Sequence, residues 1–497
     1  MKIIHVAAEF YPYAKTGGLA DVVGSLSTKL ADNGHEVSVF LPGYRMVFEH
    51  PDTLLPMYHV TLNGDGGEVR IFSPRKNLTV FLICNAKYFD RNGIYGDDGY
   101  DFEDNHKRYM FFIKAVLEAM RYLKLHADIV HCHDWQTALL PMLLRDAEIR
   151  YEVMLAKKTI LTIHNIAFQG KFPIQSFNRM SLFDNVLGLG DFEINGQINM
   201  LKSGILFADQ VTTVSPQYAK EIQSPVFGCG LESAFAMRIG KLVGLLNGID
   251  TSVWNPSTDD QLPANYSADD LSGKYACRKE LLNRFSFDPE FKGPVYGMVC
   301  RLTEQKGIDF ILSNKDFFLG ESRLIILGSG EQRYEDALHQ LTEIAPDKIH
   351  FCKCFAESLS HLVEAGSDFF LMPSLFEPCG LNQMYSQVYG TVPLVSQVGG
   401  LIDTVIDIDK SPEEGTGITF LPTVTDFRNG LDRAVKLFAE KSLLSAVQKR
   451  GMLKDFGWTK AVMDYEMLYQ KSLESLSPNE RYLRSIKSTY TPLAVAV

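Results

Sequence analysis

The sequence predicts an α/β protein of two doubly wound, Rossmann-like domains facing each other across a cleft, and three observations carry that expectation. At 497 residues the chain is too long for one ordinary core, so two domains of about 200 to 250 residues are the natural division. Short apolar runs of strand length alternate with stretches of helical period along most of the chain. The same unit, a strand, a glycine loop carrying a cation, then a helix, occurs in both halves. Residues 1–245 and 246–460 are the expected domains, joined between about Lys241 and Pro256. A C-terminal helix over 461–476 is expected to pack back onto the first domain, and the tail 477–497 to be poorly ordered.

Lys2 to Ala8 reads as the first strand. The loop after it ends in Lys15-Thr16-Gly17-Gly18, and Leu19, Val22, Val23, Leu26 and Leu30 mark one face of a helix that stops at Asn33-Gly34. Lys15 beside two glycines makes this loop a candidate anion cradle. It matches neither the G-x-G-x-x-G dinucleotide fingerprint nor G-x-x-x-x-G-K-[ST], which argues against nicotinamide and P-loop chemistry. Glu36 to Leu41 and Leu78 to Cys84 are further strands, separated by a less legible stretch. Tyr88 to Arg108 interleaves Asp, Gly and Tyr, a composition that suits a carbohydrate, whose ring faces stack on aromatics while its hydroxyls bond carboxylates and amides. Ile129 to Trp135 and Thr159 to Asn165 are strands that end in polar groups. They place His131, His133, Asp134 and His164 at strand tips, where open α/β sheets bind ligands, at no spacing that suggests a metal. Gln210 to Ser215 and Leu242 to Asp250 complete the first series.

Asp259 to Asp288 is polar and helical in pattern, and the second series then begins with Val295 to Arg301. Arg301 and Lys306 bracket its loop, whose Gly307 allows close backbone approach; with Lys15 they could neutralise a diphosphate without a metal. Leu324 to Leu327 and Lys348 to Lys353 lead to the stretch Asp368 to Leu401. There Phe369 to Met372 reads as a strand buried on both faces, followed by Glu377, Pro378, Cys379 and Gly380 and then a helical run into Gly390. Val392 to Ser396 is the next strand and Gly399-Gly400 a second loop, so the stretch reads as two adjacent rims of one site with Glu377 at its mouth. Asp407-Ile408-Asp409 has the outline of a metal-binding D-x-D but lies in an acidic run and is not expected to hold one.

With a net charge of -11 the chain carries no general basic surface for nucleic acid or anionic membrane. Its eight cysteines show neither a zinc pattern nor a secreted framework, and reduced thiols and a cytoplasmic location are expected. The N-terminal apolar run is broken by Glu9 and Lys15 before reaching signal or membrane length, and no other run is long enough to span a bilayer.

The strings KTGGLADV, LNGID, RLTEQKG and FEPCGL, together with His133-Asp134-Trp135 and His164-Asn165, occur in the order and spacing of bacterial glycogen synthases and plant starch synthases, which the chain resembles from about Met1 to Gln470. The resemblance implies a retaining glucosyltransferase that moves glucose from ADP-glucose to the non-reducing end of an α-1,4-glucan, with no cofactor, metal, nucleic-acid or membrane partner. It implies that Glu377, Arg301, Lys306, His164 and Asp134 are catalytic. Lys15, Gly17, Gly18, Asn247, Phe355, Cys379, Gly380 and Leu381 would bind the donor, and Tyr95 and Asp21 the acceptor. Tyr385 stands where the wider retaining family often has a second acid, Phe355 where Tyr is common for stacking on the base, and Leu375 where Arg is usual. With no acid paired to Glu377, attack on the face the leaving group departs from is favoured over a covalent intermediate. The alternatives are the same reaction from UDP-glucose, or a catalytically silent glucan-binding relative.

Overall fold

The computed structural model describes residues 1–50, 58–61, 67–97, 100–176, 192–354 and 356–475. Phe355 and the expected poorly ordered tail 477–497 lie outside the described residues. The chain divides into two compact units. The first comprises Met1–Val214, Ala219–Leu245 and the chain from Trp458 onward; the second comprises Ser215–Tyr218 and Leu246–Gly457.

The first unit is built on a nine-stranded sheet of β1 (Lys2–Val6), β2 (Glu36–Pro42), β3 (Tyr58–Thr61), β4 (Glu68–Arg75), β5 (Leu78–Cys84), β6 (Ala127–His133), β7 (Ala156–Ile163), β8 (Gln210–Thr213) and β9 (Leu242–Gly244). Their order is β9-β8-β7-β6-β1-β2-β5-β4-β3, parallel except at the β5-β4-β3 edge. The parallel strands are continuous apolar runs because helices cover both faces. β4, within the less legible stretch before Leu78, is half-buried and irregular, so its residues show no clean alternation. Helix α1 (Gly18–Asp32) buries Leu19, Val22, Val23, Leu26 and Leu30 as one stripe, and Gly34 at φ +88° turns the chain out of it.

The second unit carries a six-stranded, all-parallel sheet of β10 (Val295–Val299), β11 (Arg323–Leu327), β12 (Ile349–Cys352), β13 (Phe369–Met372), β14 (Val392–Ser396) and β15 (Ile418–Phe420), in the order β12-β11-β10-β13-β14-β15. The order reverses direction between β10 and β13, the switch point at whose strand ends ligands bind. Two apolar clusters fill this unit, one centred on Tyr296, Phe369 and Leu394, the other on Leu281, Phe370 and Val395. Consecutive residues Phe369 and Phe370 thus face opposite layers.

Helix α2 (Trp458–Glu474) belongs to the first unit. It buries Trp458, Tyr465, Leu468 and Tyr469, and Glu466 accepts hydrogen bonds from Asn33 Nδ2 at 2.9 Å and from His35 Nε2 at 3.0 Å. Among the described residues no helix is long and apolar enough to cross a membrane. One expectation fails here: Cys352 and Cys354 form a disulfide. The chain curls as it leaves β12, with the Cys354 amide donating to the Cys352 carbonyl at 2.9 Å, and this puts both sulfurs on one side. The other six cysteines are free thiols.

Candidate active site

In the second unit the loops after β10 and β13 are stitched together. The Leu375 amide donates to the Gln305 carbonyl at 2.8 Å, and Gln305 Nε2 donates to the Phe376 carbonyl at 3.1 Å. Gly307 sits at φ +68°, and a Cβ there would collide with the Pro373 carbonyl, so only glycine permits this approach. The two loops bring Lys306 Nζ to 2.5 Å from Glu377 Oε2, which also accepts Ser374 Oγ–H at 3.0 Å. Glu377 is 6% exposed; the cation and the hydroxyl keep its carboxylate satisfied out of water. Arg301 is exposed, with no ion pair among the described residues, so its charge is available to a ligand.

The Gly399-Gly400 loop closes onto the same place. The Gly400 amide donates to the Glu377 carbonyl at 3.0 Å, and a Cβ on Gly400 would strike the Cys379 carbonyl. Cys379 is buried, Gly380 turns at φ +72°, and Leu381 precedes the helix Asn382–Val388. Asn247 lies against the Cys379 thiol with its Oδ1 buried and unpartnered. At the second-acid position Tyr385 stacks on Trp254, ring centroids 3.8 Å apart, and the indole also stacks on His361 at 3.9 Å. Asp407 and Asp409 are both tied to Arg433, at 2.7 and 2.6 Å, and Asp407 also accepts the Thr419 amide. The D-x-D outline is thus a structural ion-pair network.

In the first unit the glycine loop is organised by Glu9, a residue that sequence reasoning passed over. Glu9 is 3% exposed and accepts the Thr16 amide at 2.7 Å, Thr16 Oγ1–H at 3.0 Å, the Gly17 amide at 3.0 Å and the Tyr95 hydroxyl at 2.6 Å. The amides that the sequence offers to a phosphate are therefore held by the chain's own carboxylate, with Gly18 beginning α1 just beyond. Lys15 is half-exposed and pairs with Asp21 at 2.7 Å. Tyr95, with its hydroxyl on Glu9 and its ring 6.2 Å from that of Tyr109, is held in place, and burial raises its pKa well above the ordinary tyrosine value. At the end of the carbohydrate-like stretch a helix starts at Asn105, and Arg108 is fully buried on the Tyr88 and Ile94 carbonyls.

Asp134 and His164 meet at the ends of β6 and β7. Asp134 adopts φ +56°, and its Oδ1 accepts the His164 amide at 2.7 Å. Burial pushes the Asp134 carboxyl up to about 7 despite that bond. His5, His131 and His133 are buried alongside; burial lowers all three pKa values, and holds both His5 and His164 down at about 3. His5 was not singled out from the sequence. The parallel register of β1 with β6, which sets it opposite His131, is what would have found it.

Two family models match the chain: the starch synthase catalytic domain over residues 2–237 and glycosyl transferases group 1 over 282–442. A glycogen synthase from Opitutus terrae is 57% identical over 480 residues, covering 95% of this chain and all of the relative. The chain belongs to the glycogen synthase family of glycosyltransferases. A family member from Aeromonas hydrophila is 40% identical, with 95% of this chain and 98% of the relative covered. The catalytic domain of Starch Synthase IV from Arabidopsis thaliana, solved bound to ADP and acarbose, superposes with a TM-score of 0.83 at 32% identity over 95% of this chain and 99% of that one. A sucrose-phosphate synthase from Thermosynechococcus elongatus shares the fold at TM-score 0.60 and 16% identity, covering 95% and 98%. The family is that of two-domain GT-B glycosyltransferases, in keeping with the two parallel-sheet units.

Proposed function

We propose that this glycogen synthase family member transfers glucose from ADP-glucose to the non-reducing end of an α-1,4-glucan with retention of configuration. The observation that carries the reading is the Lys306–Glu377 pair beside the exposed Arg301 at the switch point of the second sheet. Breaking the glucose–phosphate bond builds negative charge on the departing diphosphate and positive charge on the sugar. Arg301 and Lys306 are fixed cations for the first, and Glu377 is a fixed anion for the second and an acceptor for sugar hydroxyls. Cys379, Gly380 and Leu381 contribute backbone amides to the phosphates, and Asn247 the donor's sugar region. By their family motifs Lys15, Gly17 and Gly18 are assigned to the donor, Asp134 and His164 to the glucose, and Tyr95 and Asp21 to the glucan; Gly17 would do so through its bare Cα, since its amide is held by Glu9.

Tyr385 packed against Trp254 leaves no carboxylate at the second-acid position, which supports same-face attack with a phosphate oxygen taking the acceptor proton. The solved relative bound to ADP supports an adenine nucleotide donor. UDP-glucose is the competing donor, decided at the base pocket to which Phe355 is assigned. Six of the eight cysteines are free, which supports a cytoplasmic location, and the Cys352–Cys354 disulfide counts against it. The test is Glu377→Gln: donor binding by calorimetry should persist while glucose transfer is mostly lost. A glucosyl ester trapped on Glu377 would overturn the same-face route.

A further inference from the structure

Three imidazoles lie end to end behind the Asp134 loop. His5 stands on β1, His133 ends β6, and His164 follows β7. His5 Nδ1 is 3.1 Å from His133 Nε2, and His133 Nδ1 is 3.1 Å from His164 Nε2. Each contact needs one N–H and one lone pair, and a neutral imidazole has one of each. Burial keeps these rings neutral. The direction of one bond therefore dictates the next. If His5 donates, His133 must donate to His164, whose proton is left on Nδ1; if the chain runs the other way, all three protons sit on Nε2.

His131 is outside the chain. It stacks on His133 with centroids 4.2 Å apart, but its own nitrogens are taken by the Tyr469 hydroxyl at 2.8 Å and Thr162 Oγ1 at 2.6 Å. With both nitrogens of His133 also engaged, the cluster does not present three free nitrogens to a metal. The buried end of the chain decides its direction. His5 Nε2 is buried without a partner, so one direction leaves there a bare lone pair and the other an orphaned N–H. Orphaned buried N–H groups are the rarer of the two in folded proteins. The outer end imposes no such choice, since His164 is only partly buried.

We propose that His5 and His133 are positioning residues that hold His164 as its Nδ1–H tautomer, so that the ring offers a hydrogen-bond donor to an oxygen of the bound sugar. Its backbone is fixed independently by Asp134. The sugar partner rests on the function proposed above; the tautomer does not.

The experiment is long-range proton–nitrogen NMR on the full chain with isotope-labelled histidine at about neutral pH, where the two tautomers give distinct patterns. Loss of signals in His5→Asn, His133→Asn and His164→Asn assigns the three rings. The proposal expects Nδ1–H on all three; Nε2–H on His164 overturns it. His5→Asp offers His133 only acceptors and should reverse the chain, moving the His164 proton to Nε2. Transfer should then lose roughly tenfold in kcat/KM with ADP binding unchanged, the size expected for one misdirected hydrogen bond. His5→Asn, which retains an N–H at the same place, should keep both tautomer and rate. A reversed tautomer with an unchanged rate overturns the positioning role. Should His5→Asp not fold, the wild-type spectrum and the His5→Asn rate still decide. A chain inactive with every donor would sink the functional reading, while the spectrum would still decide the tautomer.

Discussion

Replacing Asp134 with Asn isolates what burial does to this carboxyl. Its ordinary pKa of 3.8 is pushed up to about 7 in the folded chain. Between about pH 4 and pH 7 the folded chain thus holds a proton that the unfolded chain has released, so stability falls as pH rises through that window and levels off above it. A difference of roughly three units corresponds to about 4 kcal/mol. Asn keeps the Oδ1 that accepts the His164 amide, tolerates the left-handed backbone at φ +56°, and does not ionise. Urea unfolding of both proteins should therefore show little difference at about pH 4, and Asp134→Asn ahead by about 4 kcal/mol at about pH 8. Taking the difference between the two proteins cancels every other titrating group. A gap that stays flat with pH, or a variant that weakens relative to wild type as pH rises, would show that the amide bonds to the carboxylate outweigh its burial.

Lys306→Met removes the cation from Glu377 and should cost transfer about a hundred- to a thousandfold, with about 3 to 5 kcal/mol of stability lost because the carboxylate stays buried; a variant that keeps its rate would mean that the pair is not part of the chemistry. Gly307→Ala should destabilise by about 2 kcal/mol or more through its positive φ and the clash with the Pro373 carbonyl, read as a lower urea midpoint with an unchanged slope. His5 and His164, held down at about 3, act with the opposite sign to Asp134. The unfolded imidazoles take up protons that these rings refuse, so their contribution is complete above about pH 6.5 and is lost as pH falls towards 3. His5→Phe should flatten the loss of stability on acidification; an unchanged acid limb would contradict the neutral, buried assignment.

The alternation of strands and helices was legible because parallel strands buried on both faces are unbroken apolar runs, as in Phe369 to Met372. The β4 edge was not, since a half-buried antiparallel strand alternates and β4 does so irregularly. Lys306, Gly307 and Glu377 could be singled out because each sits next to a strand end. Their mutual contact depends on the loops after β10 and β13 being stitched together, which no local pattern encodes. Glu9 and His5 were missed for a related reason. Glu9 acts by folding back over Thr16 and Gly17, and His5 through strand register, so both are defined by partners distant in the chain or across a turn. The Cys352–Cys354 disulfide escaped the expectation of reduced thiols because no cysteine framework shows in the sequence, whereas the curl after β12 brings these two sulfurs together.

The most direct test of the account is glucose transfer to glycogen from ADP-glucose and, in parallel, from UDP-glucose, each with and without chelator, on wild type and Glu377→Gln. The account predicts transfer from ADP-glucose by the wild type that ignores the chelator, and little by the variant. Transfer only from UDP-glucose would contradict the donor assignment, and no transfer from either would contradict the central claim that Arg301, Lys306 and Glu377 form a working site.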